Sequence, residues 1–164
     1  EVQKVEKARI AGQDIYAEDA NLKDVYEAIS KQFDVKPEET EVGSVIFAVK
    51  PGDGSAREQA ASCQRVLGGM ANIAREYATK RYRSNLINWG MIPFVIDQGE
   101  LPFHNLDYLF VPKIREAIAD GKTEFEAYVV KDGALKPFTL RMGELTPDEK
   151  DIILKGCLIN YYRG

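Results

Sequence analysis

A glycine-rich turn, Gly52-Asp53-Gly54-Ser55-Ala56-Arg57, combines residue types that suit the binding of a small anion. Glycine lets a ligand approach the backbone, serine offers a hydroxyl, and arginine offers a planar fork of donors that can bind a carboxylate through two parallel hydrogen bonds. The first N–H groups of a helix beginning here would lack intrahelical partners and would add partial positive charge. The turn therefore predicts a site for a carboxylate or a phosphate.

The sequence on either side of the turn supports this placement. Residues 45–49 form an apolar, β-branched run that predicts a buried strand, and residues 58–67 predict a helix that ends at Gly68-Gly69. The local chemistry leaves a second interpretation open, in which Ser55 is only a helix N-cap and the glycines only shape the turn. The pattern differs from a phosphate loop, because no Gly-Lys-Ser/Thr follows, and from the dinucleotide fingerprint, because its third glycine is absent.

Residues 52–60, read as G-D-G-S-A-R-E-Q-A, resemble the G-x-G-S-S-R-E-H/Q-A signature of the aconitase and isopropylmalate isomerase superfamily. Three further segments are similar to motifs of that superfamily in the same order: Leu67-Gly68-Gly69 to L-G-G, residues 77–93 to F-A-R…N…G-L-L-P, and residues 156–160 to the A-G-S-A-L-N of aconitase carboxyl termini. The resemblance covers residues 45–93 closely and the carboxyl terminus less closely.

The resemblance implies the fourth, swivelling domain of an iron–sulfur hydro-lyase. This is an α/β fold, a three-layer β/β/α module, which would occupy residues 1–164 as the carboxyl-terminal part of a longer chain. It implies that Ser55, as an alkoxide, removes a carbon-bound proton of a small carboxylate substrate and that Arg57 binds a carboxylate. Gly54 and Ala56 would line the same substrate site. A second serine that hydrogen-bonds substrate usually stands at position 56, so Ala56 departs from the pattern and leaves the substrate identity open.

The cofactor implied by the resemblance is a 4Fe–4S cluster held by three cysteines on other domains. This chain contains only Cys63 and Cys157, with no C-x-x-C, so we expect it to bind neither a cluster nor zinc by itself. Its implied partners are the cluster-bearing domains 1–3 or a large subunit, and the isolated domain is expected to be inactive. Both cysteines are expected to be small buried residues, and His104 is expected in a surface loop.

The composition predicts one globular domain. The chain has 164 residues, 45% of them hydrophobic, and its 22 Lys and Arg against 26 Asp and Glu give a net charge of 22 − 26 = −4. It has no apolar run of membrane-spanning length and no signal-peptide pattern, and we expect a cytoplasmic location. The negative charge makes nucleic-acid binding unfavourable overall. Lys80-Arg81-Tyr82-Arg83 is a local basic and aromatic cluster, for which a solvated helix face or an interdomain contact is the favoured interpretation.

The remaining pattern predicts strands near residues 8–10, 71–74, 92–96, 125–130 and 135–142, and helices near residues 22–33, 76–89 and 113–119. Asp132-Gly133 between the last two strands is a hairpin signal. Thr146, Pro147 and Glu149 predict the capped start of a final helix.

Three functions fit these observations. The first is the carboxyl-terminal domain of a single-chain aconitase-like hydratase acting on a small di- or tricarboxylic acid, and Glu1 in place of methionine suggests an excised piece. The second is the free-standing small subunit of an isopropylmalate or homoaconitate isomerase, although residues 12–19 echo its D-x-x-T-D segment only loosely. The third is a non-catalytic module that binds an anion or contacts RNA.

Overall fold

The computed structural model describes residues 2–163, apart from the side chain of Pro37, so Glu1 lies outside the described residues. The seven α-helices of this range are α1 (Val2–Ile10), α2 (Asn21–Ser30), α3 (Arg57–Val66), α4 (Lys80–Asn88), α5 (Ile114–Ala119), α6 (Pro147–Leu154) and α7 (Leu158–Tyr162). Short 3-10 turns span Ile15–Ala17 and Pro37–Glu39. The six strands are β1 (Ser44–Ala48), β2 (Gly69–Ala74), β3 (Ile92–Val95), β4 (Tyr108–Phe110), β5 (Glu124–Lys131) and β6 (Ala134–Arg141).

The strands are hydrogen-bonded in the order β1-β2-β3-β6-β5-β4, which confirms the predicted α/β class. The pairs β1–β2 and β2–β3 are parallel, with Ile73 opposite Phe47 on one side and Phe94 on the other. Strand β6 joins β3 in antiparallel fashion at Val95 and Arg141, and β4 pairs antiparallel with β5. The parallel strands β1, β2 and β3 therefore end at one common edge.

By its internal contacts the chain divides into two compact units. The first comprises Glu1–Gly43, Gly99–Pro112 and Glu126–Phe138, and the second comprises Ser44–Gln98, Lys113–Phe125 and Thr139–Gly164. The assignment of all 164 residues to one swivel domain stays a prediction.

The first unit contains two clusters of buried side chains. One joins Val5 and Ala8 of α1 to Leu22 and Tyr26 of α2. The other is built around Ala28, Ile29, Phe110 and Val130, with the Phe33 ring edge-on to the rings of Phe110 and Tyr128.

The strand predicted near residues 8–10 is wrong, because this segment is the end of helix α1. The buried residues Val5 and Ala8 are three apart, which is the spacing of one helical face and not of a strand. Arg9 also reaches back three residues and donates to the Glu6 carboxylate at 2.6 and 2.9 Å, a pairing that helical geometry allows.

The second unit contains the three parallel strands and helices α3 and α4. Strand β1 was predicted to be buried, and this prediction is wrong: Val45 and Ile46 are each 39% exposed. The reason is topological, because β1 lies at one edge of the sheet and has a neighbouring strand on one side only. Its apolar composition indicated a strand without indicating its position in the sheet.

Most predicted helix boundaries hold within a few residues, and α4 shows why one shifts. Glu76 was the expected first residue, but the helix begins at Lys80 because the Thr79 side chain accepts the Tyr82 N–H at 3.1 Å as its N-cap. The final helix α6 confirms the predicted capping box of Thr146 and Glu149. The predicted hairpin is also confirmed, with Asp132 and Gly133 both at positive φ.

Two glycines with nearly equal φ allow backbone strain to be separated from crowding. Gly90 (φ +73°) lies so close to the Gly156 carbonyl oxygen that a Cβ would stand 1.7 Å from it, whereas a Cβ on Gly133 (φ +74°) would meet nothing within 4 Å. We expect Gly133→Ala to lower the free energy of unfolding by about 1 kcal/mol from backbone strain alone. Gly90→Ala should add a steric cost and lose at least about 3 kcal/mol. Urea unfolding followed by circular dichroism measures both, and equal losses would contradict the close approach of the two backbones.

Candidate functional site

The predicted anion-binding turn lies in the second unit at the carboxyl end of β1. Beyond the strand, the chain stays beside the segment that follows β2: the Val49 carbonyl accepts the N–H groups of Arg75 and Glu76 at 3.2 Å, and the Pro51 carbonyl accepts that of Ala78 at 2.9 Å. The chain then leaves the segment that follows β2 and turns through residues 52–56, here called the serine loop, into α3. The loop is therefore anchored on one side by main-chain hydrogen bonds and on the other by a helix.

Gly52 is the point at which the serine loop rests on the protein interior. Its φ is +96°, and a Cβ built on it would lie 2.5 Å from Cβ and Cγ of Tyr82 in α4. Tyr82 is itself buried and packs with Ala61 of α3 and with Leu86 and Met91. Only glycine satisfies both the backbone conformation and this contact.

Arg57, the first residue of α3, holds the loop from its other side. Its Nε donates to the Gly52 carbonyl at 3.1 Å, and the side chain is partly buried. Within residues 2–163, no hydrogen bond or ion pair occupies its terminal nitrogens Nη1 and Nη2. The guanidinium is thus fixed through Nε while its two-nitrogen fork is available for a planar anion.

Ser55 is exposed and does not cap the helix. The N-cap of α3 is Ala56, with φ −88° and ψ 51°, and this residue makes no side-chain cap hydrogen bond. The interpretation of Ser55 as a simple N-cap is therefore wrong. The first turn of α3 keeps its unpaired N–H groups and its partial positive charge, and the helix begins two residues after Ser55.

Gly54 stands in open space, since a Cβ added to it would meet nothing within 4 Å. Ala56 is likewise exposed. The structure thus brings Gly54, Ser55, Ala56 and the Arg57 fork together on one short, accessible loop. Packing within the described residues does not explain the glycine at position 54, whereas it does explain Gly52.

Two tyrosines, the buried Tyr82 and the partly buried Tyr77, support the strands and helices behind the loop. The Tyr77 hydroxyl donates to the carbonyls of Asn72 and Phe94, and so bridges β2 and β3, at 3.3 and 2.8 Å. Burial raises the pKa of Tyr77, which keeps the phenol protonated. The Tyr82 hydroxyl accepts from Gln64 of α3 and from Asn72 of β2. Sequence reasoning placed Tyr82 in a basic surface cluster and missed this supporting position.

The cluster Lys80-Arg81-Tyr82-Arg83, for which a solvated helix face or an interdomain contact was favoured, is only partly a solvated face. Its aromatic residue is buried, and Arg83 donates to the carbonyls of Gly143 and Glu144 and pairs with Glu149 at 3.6 Å. Only the first two residues of the cluster are exposed. The spacing of basic residues gave no sign that one of them links α4 to the start of α6.

The cysteines and the histidine give no metal site. Cys63 is exposed on α3, contrary to the expectation that it is buried, and Cys157 is partly exposed at the N-cap of α7. His104 lies in a turn as expected, where its N–H donates to Asp107 at 2.8 Å. Within the described part of the chain, no three His, Cys, Asp or Glu side chains are grouped so as to hold a metal ion. These residues do not fit a 4Fe–4S cluster, which needs at least three thiolate ligands.

Comparison with known proteins identifies the family. The family model described as the aconitase C-terminal domain matches residues 3–99, a range that includes the serine loop and Arg57. The chain belongs to the aconitase C-terminal domain family. Aconitate hydratase A of Bradyrhizobium diazoefficiens is 30% identical over 133 residues, which cover 77% of this chain and 14% of that protein. The resemblance drawn from the motifs is confirmed, and the chain spans a small part of this curated relative.

A solved structure supports the fold assignment. The 3-isopropylmalate dehydratase of Methanocaldococcus jannaschii has a TM-score of 0.54 and 24% identity, over 82% of this chain and 72% of that one. At this identity the likeness concerns the fold alone, and it agrees with the predicted swivel-domain class. Within residues 2–163 of the aconitase-family chain, no helix is both long enough and apolar enough to cross a membrane.

The contrast between the two loop glycines can be tested by their stabilities. Gly52→Ala places a methyl group against the Tyr82 ring at φ +96°. It should lower the free energy of unfolding by about 2–4 kcal/mol. Gly54→Ala should change it by less than about 0.5 kcal/mol. Denaturant unfolding of both variants checks this, and a Gly52→Ala variant as stable as Gly54→Ala would show that the loop does not rest on the ring.

Proposed function

We propose that the chain is the part of an aconitase-like hydro-lyase that supplies the catalytic base and one carboxylate-binding residue for dehydration and rehydration of a small di- or tricarboxylic acid. One observation carries this proposal: Ser55 is exposed and not used as a cap, beside the open N-terminus of α3 and the available fork of Arg57. Family membership supports the reaction class, because the curated relative is named as an aconitate hydratase.

Arg57 is proposed to bind a substrate carboxylate. The hydrogen bond from Nε to Gly52 fixes the guanidinium plane, so little side-chain freedom is lost when Nη1 and Nη2 bind two carboxylate oxygens. A lysine could neither keep the Gly52 contact in this geometry nor offer two parallel donors. The substrate would therefore be oriented with one carboxylate on the helix and the neighbouring carbon toward Ser55.

Ser55 is proposed to remove the carbon-bound proton as an alkoxide. The proton moves to Oγ, the C–H electron pair forms the new carbon–carbon double bond, and hydroxide leaves from the adjacent carbon. A serine hydroxyl is only a very weak acid, so its anion needs strong stabilisation, which we assign to the N–H groups of α3 and the Arg57 guanidinium. We assign no residue of this chain to the departing hydroxide.

The exposure of Ser55 supports the proposal that a partner surface covers the serine loop. Helix N–H groups and a guanidinium stabilise an anion far better when water is excluded than when the site is open. The proposed chemistry therefore requires that another surface cover the serine loop, which we assign to cluster-bearing domains 1–3 or to a large subunit. The isolated chain is proposed to be inactive for the same reason. We also propose a cytoplasmic location for the complete protein.

A second candidate, the small subunit of an isopropylmalate or homoaconitate isomerase, is favoured by the fold likeness to the 3-isopropylmalate dehydratase. The segment at residues 12–19 gives it little support. Asp14 accepts the Tyr16 N–H, and Asp19 accepts the Tyr108 hydroxyl at 2.6 Å and the Asn21 N–H, so both carboxylates already have hydrogen-bond partners within the fold. The third candidate is a non-catalytic module that binds an anion or contacts RNA, and the burial of Tyr82 and the pairing of Arg83 disfavour its RNA-contacting form.

The proposal is tested by turnover of cis-aconitate and isopropylmaleate in the complete, anaerobically reconstituted protein that contains this chain. Ser55→Ala should lower kcat by about 10²–10⁴-fold or more, the usual contribution of a general base. Arg57→Lys should lower kcat/KM about 10–100-fold through loss of the paired, charge-assisted hydrogen bonds.

Ser62→Ala is the matched control, because its hydroxyl donates to the Gln59 carbonyl within α3 and lies outside the serine loop. It should keep the parental rate. A Ser55→Ala variant as active as the parent would rule out the base assignment. Turnover of neither substrate by the parent would reject the proposed reaction for these two acids.

A further inference from the structure

We propose that Tyr82 is a positioning residue of the serine loop. Its ring fixes the position of the Gly52 backbone, and its hydroxyl holds the ring against α3 and β2. This inference rests on the proposed function for its catalytic consequence. Its structural content, the order of the loop, can be measured without any turnover.

The ring acts on the loop through one contact. Gly52 lies against Cβ, Cγ and Cδ1 of Tyr82, which a built Cβ would approach to 2.5, 2.5 and 2.7 Å. From its other side, Gly52 receives the Arg57 Nε hydrogen bond on its carbonyl oxygen. The glycine is therefore clamped between the ring and the guanidinium, and Ser55 follows three residues later. A shift of the ring would move the clamp and change the direction in which the Ser55 hydroxyl points.

The hydroxyl holds the ring in place. Gln64 Nε2 and Asn72 Nδ2 approach the Tyr82 oxygen to 3.1 and 3.4 Å, so one phenol is tied to α3 and to the central parallel strand. Asn72 is only 1% exposed, and apart from the tyrosines it is the one polar residue that is buried within residues 2–163. A polar residue at this depth is costly unless it is hydrogen-bonded, so the contact with Tyr82 compensates its burial.

The same three side chains can also provide a hydrogen-bond acceptor for the Tyr82 hydroxyl proton. Asn72 Oδ1 and Gln64 Oε1 are buried and have no hydrogen-bond partner among the described residues. A 180° flip of the Asn72 side-chain amide lets the Tyr82 hydroxyl donate to Oδ1 while it still accepts from Gln64. The hydroxyl then donates once and accepts once. Phenylalanine would keep the ring contact but lose both links and leave two buried amides unpaired.

Tyr77 provides a control that distinguishes a positioning role from a general effect on stability. It is a second tyrosine of the same apolar cluster, and its hydroxyl also makes two hydrogen bonds, but these join β2 to β3 and touch neither α3 nor Gly52. Tyr77→Phe should thus cost stability in the same way as Tyr82→Phe. Only Tyr82→Phe should loosen the loop.

The experiment compares Tyr82→Phe, Tyr77→Phe and the parent in the complete protein. Hydrogen–deuterium exchange of peptides spanning residues 50–60 should be at least about tenfold faster in Tyr82→Phe and unchanged in Tyr77→Phe. In turnover of cis-aconitate or isopropylmaleate, Tyr82→Phe should lower kcat about 10–100-fold at similar KM, because a misplaced base affects the chemical step more than binding. Gln64→Met, which removes the link to α3 and keeps the ring, should show a smaller change in the same direction.

The outcomes are distinct. The proposal would be overturned if Tyr82→Phe kept the parental hydrogen–deuterium exchange rate of residues 50–60 and the parental kcat. Equal effects of Tyr82→Phe and Tyr77→Phe on these two quantities would also overturn it. If Tyr82→Phe does not fold, Gln64→Met decides by the same two measurements. If the parent turns over neither substrate, the proposed function fails, and the exchange rates alone decide whether Tyr82 orders the loop.

Discussion

The arrangement of the site depends on one steric constraint, the contact of a side-chain-free residue with a buried ring. Gly52 can adopt φ +96° and lie against Tyr82 only because it has no Cβ. That contact lets its carbonyl meet Arg57 Nε, and the hydrogen bond in turn orients the guanidinium at the start of α3. The parallel strands matter to the site because β1 delivers the chain to this point and β2 carries Asn72 behind it.

The sequence predicted the parts of this arrangement that depend on local chemistry. The capping box at Thr146 and Glu149, the Asp132-Gly133 hairpin and the helix after the serine loop need only neighbouring residues, and all three are confirmed. The motif of residues 52–60 also predicted which residues would share the loop. These features are encoded within a few positions, so no knowledge of the rest of the chain was needed.

The predictions that failed involve long-range placement. Residues 45–49 are apolar enough for a central strand, yet β1 lies at the sheet edge, and composition does not report strand order. Cys63 faces solvent, although its residue type is usually buried. The contact between Tyr82 and Gly52 could not be read from either segment alone, because only the packing of α4 beside the loop creates it.

An exposed serine beside an uncapped helix is chemically useful only when water is removed, so the proposed chemistry requires a partner that covers the serine loop. The most direct test is a structure of the complete protein with a bound substrate. We expect one carboxylate on Arg57 Nη1 and Nη2, the Ser55 Oγ about 3–3.5 Å from the proton-bearing carbon, and a serine loop shielded from solvent. A substrate held without contact to Ser55 or Arg57, or a loop still open to water, would contradict it.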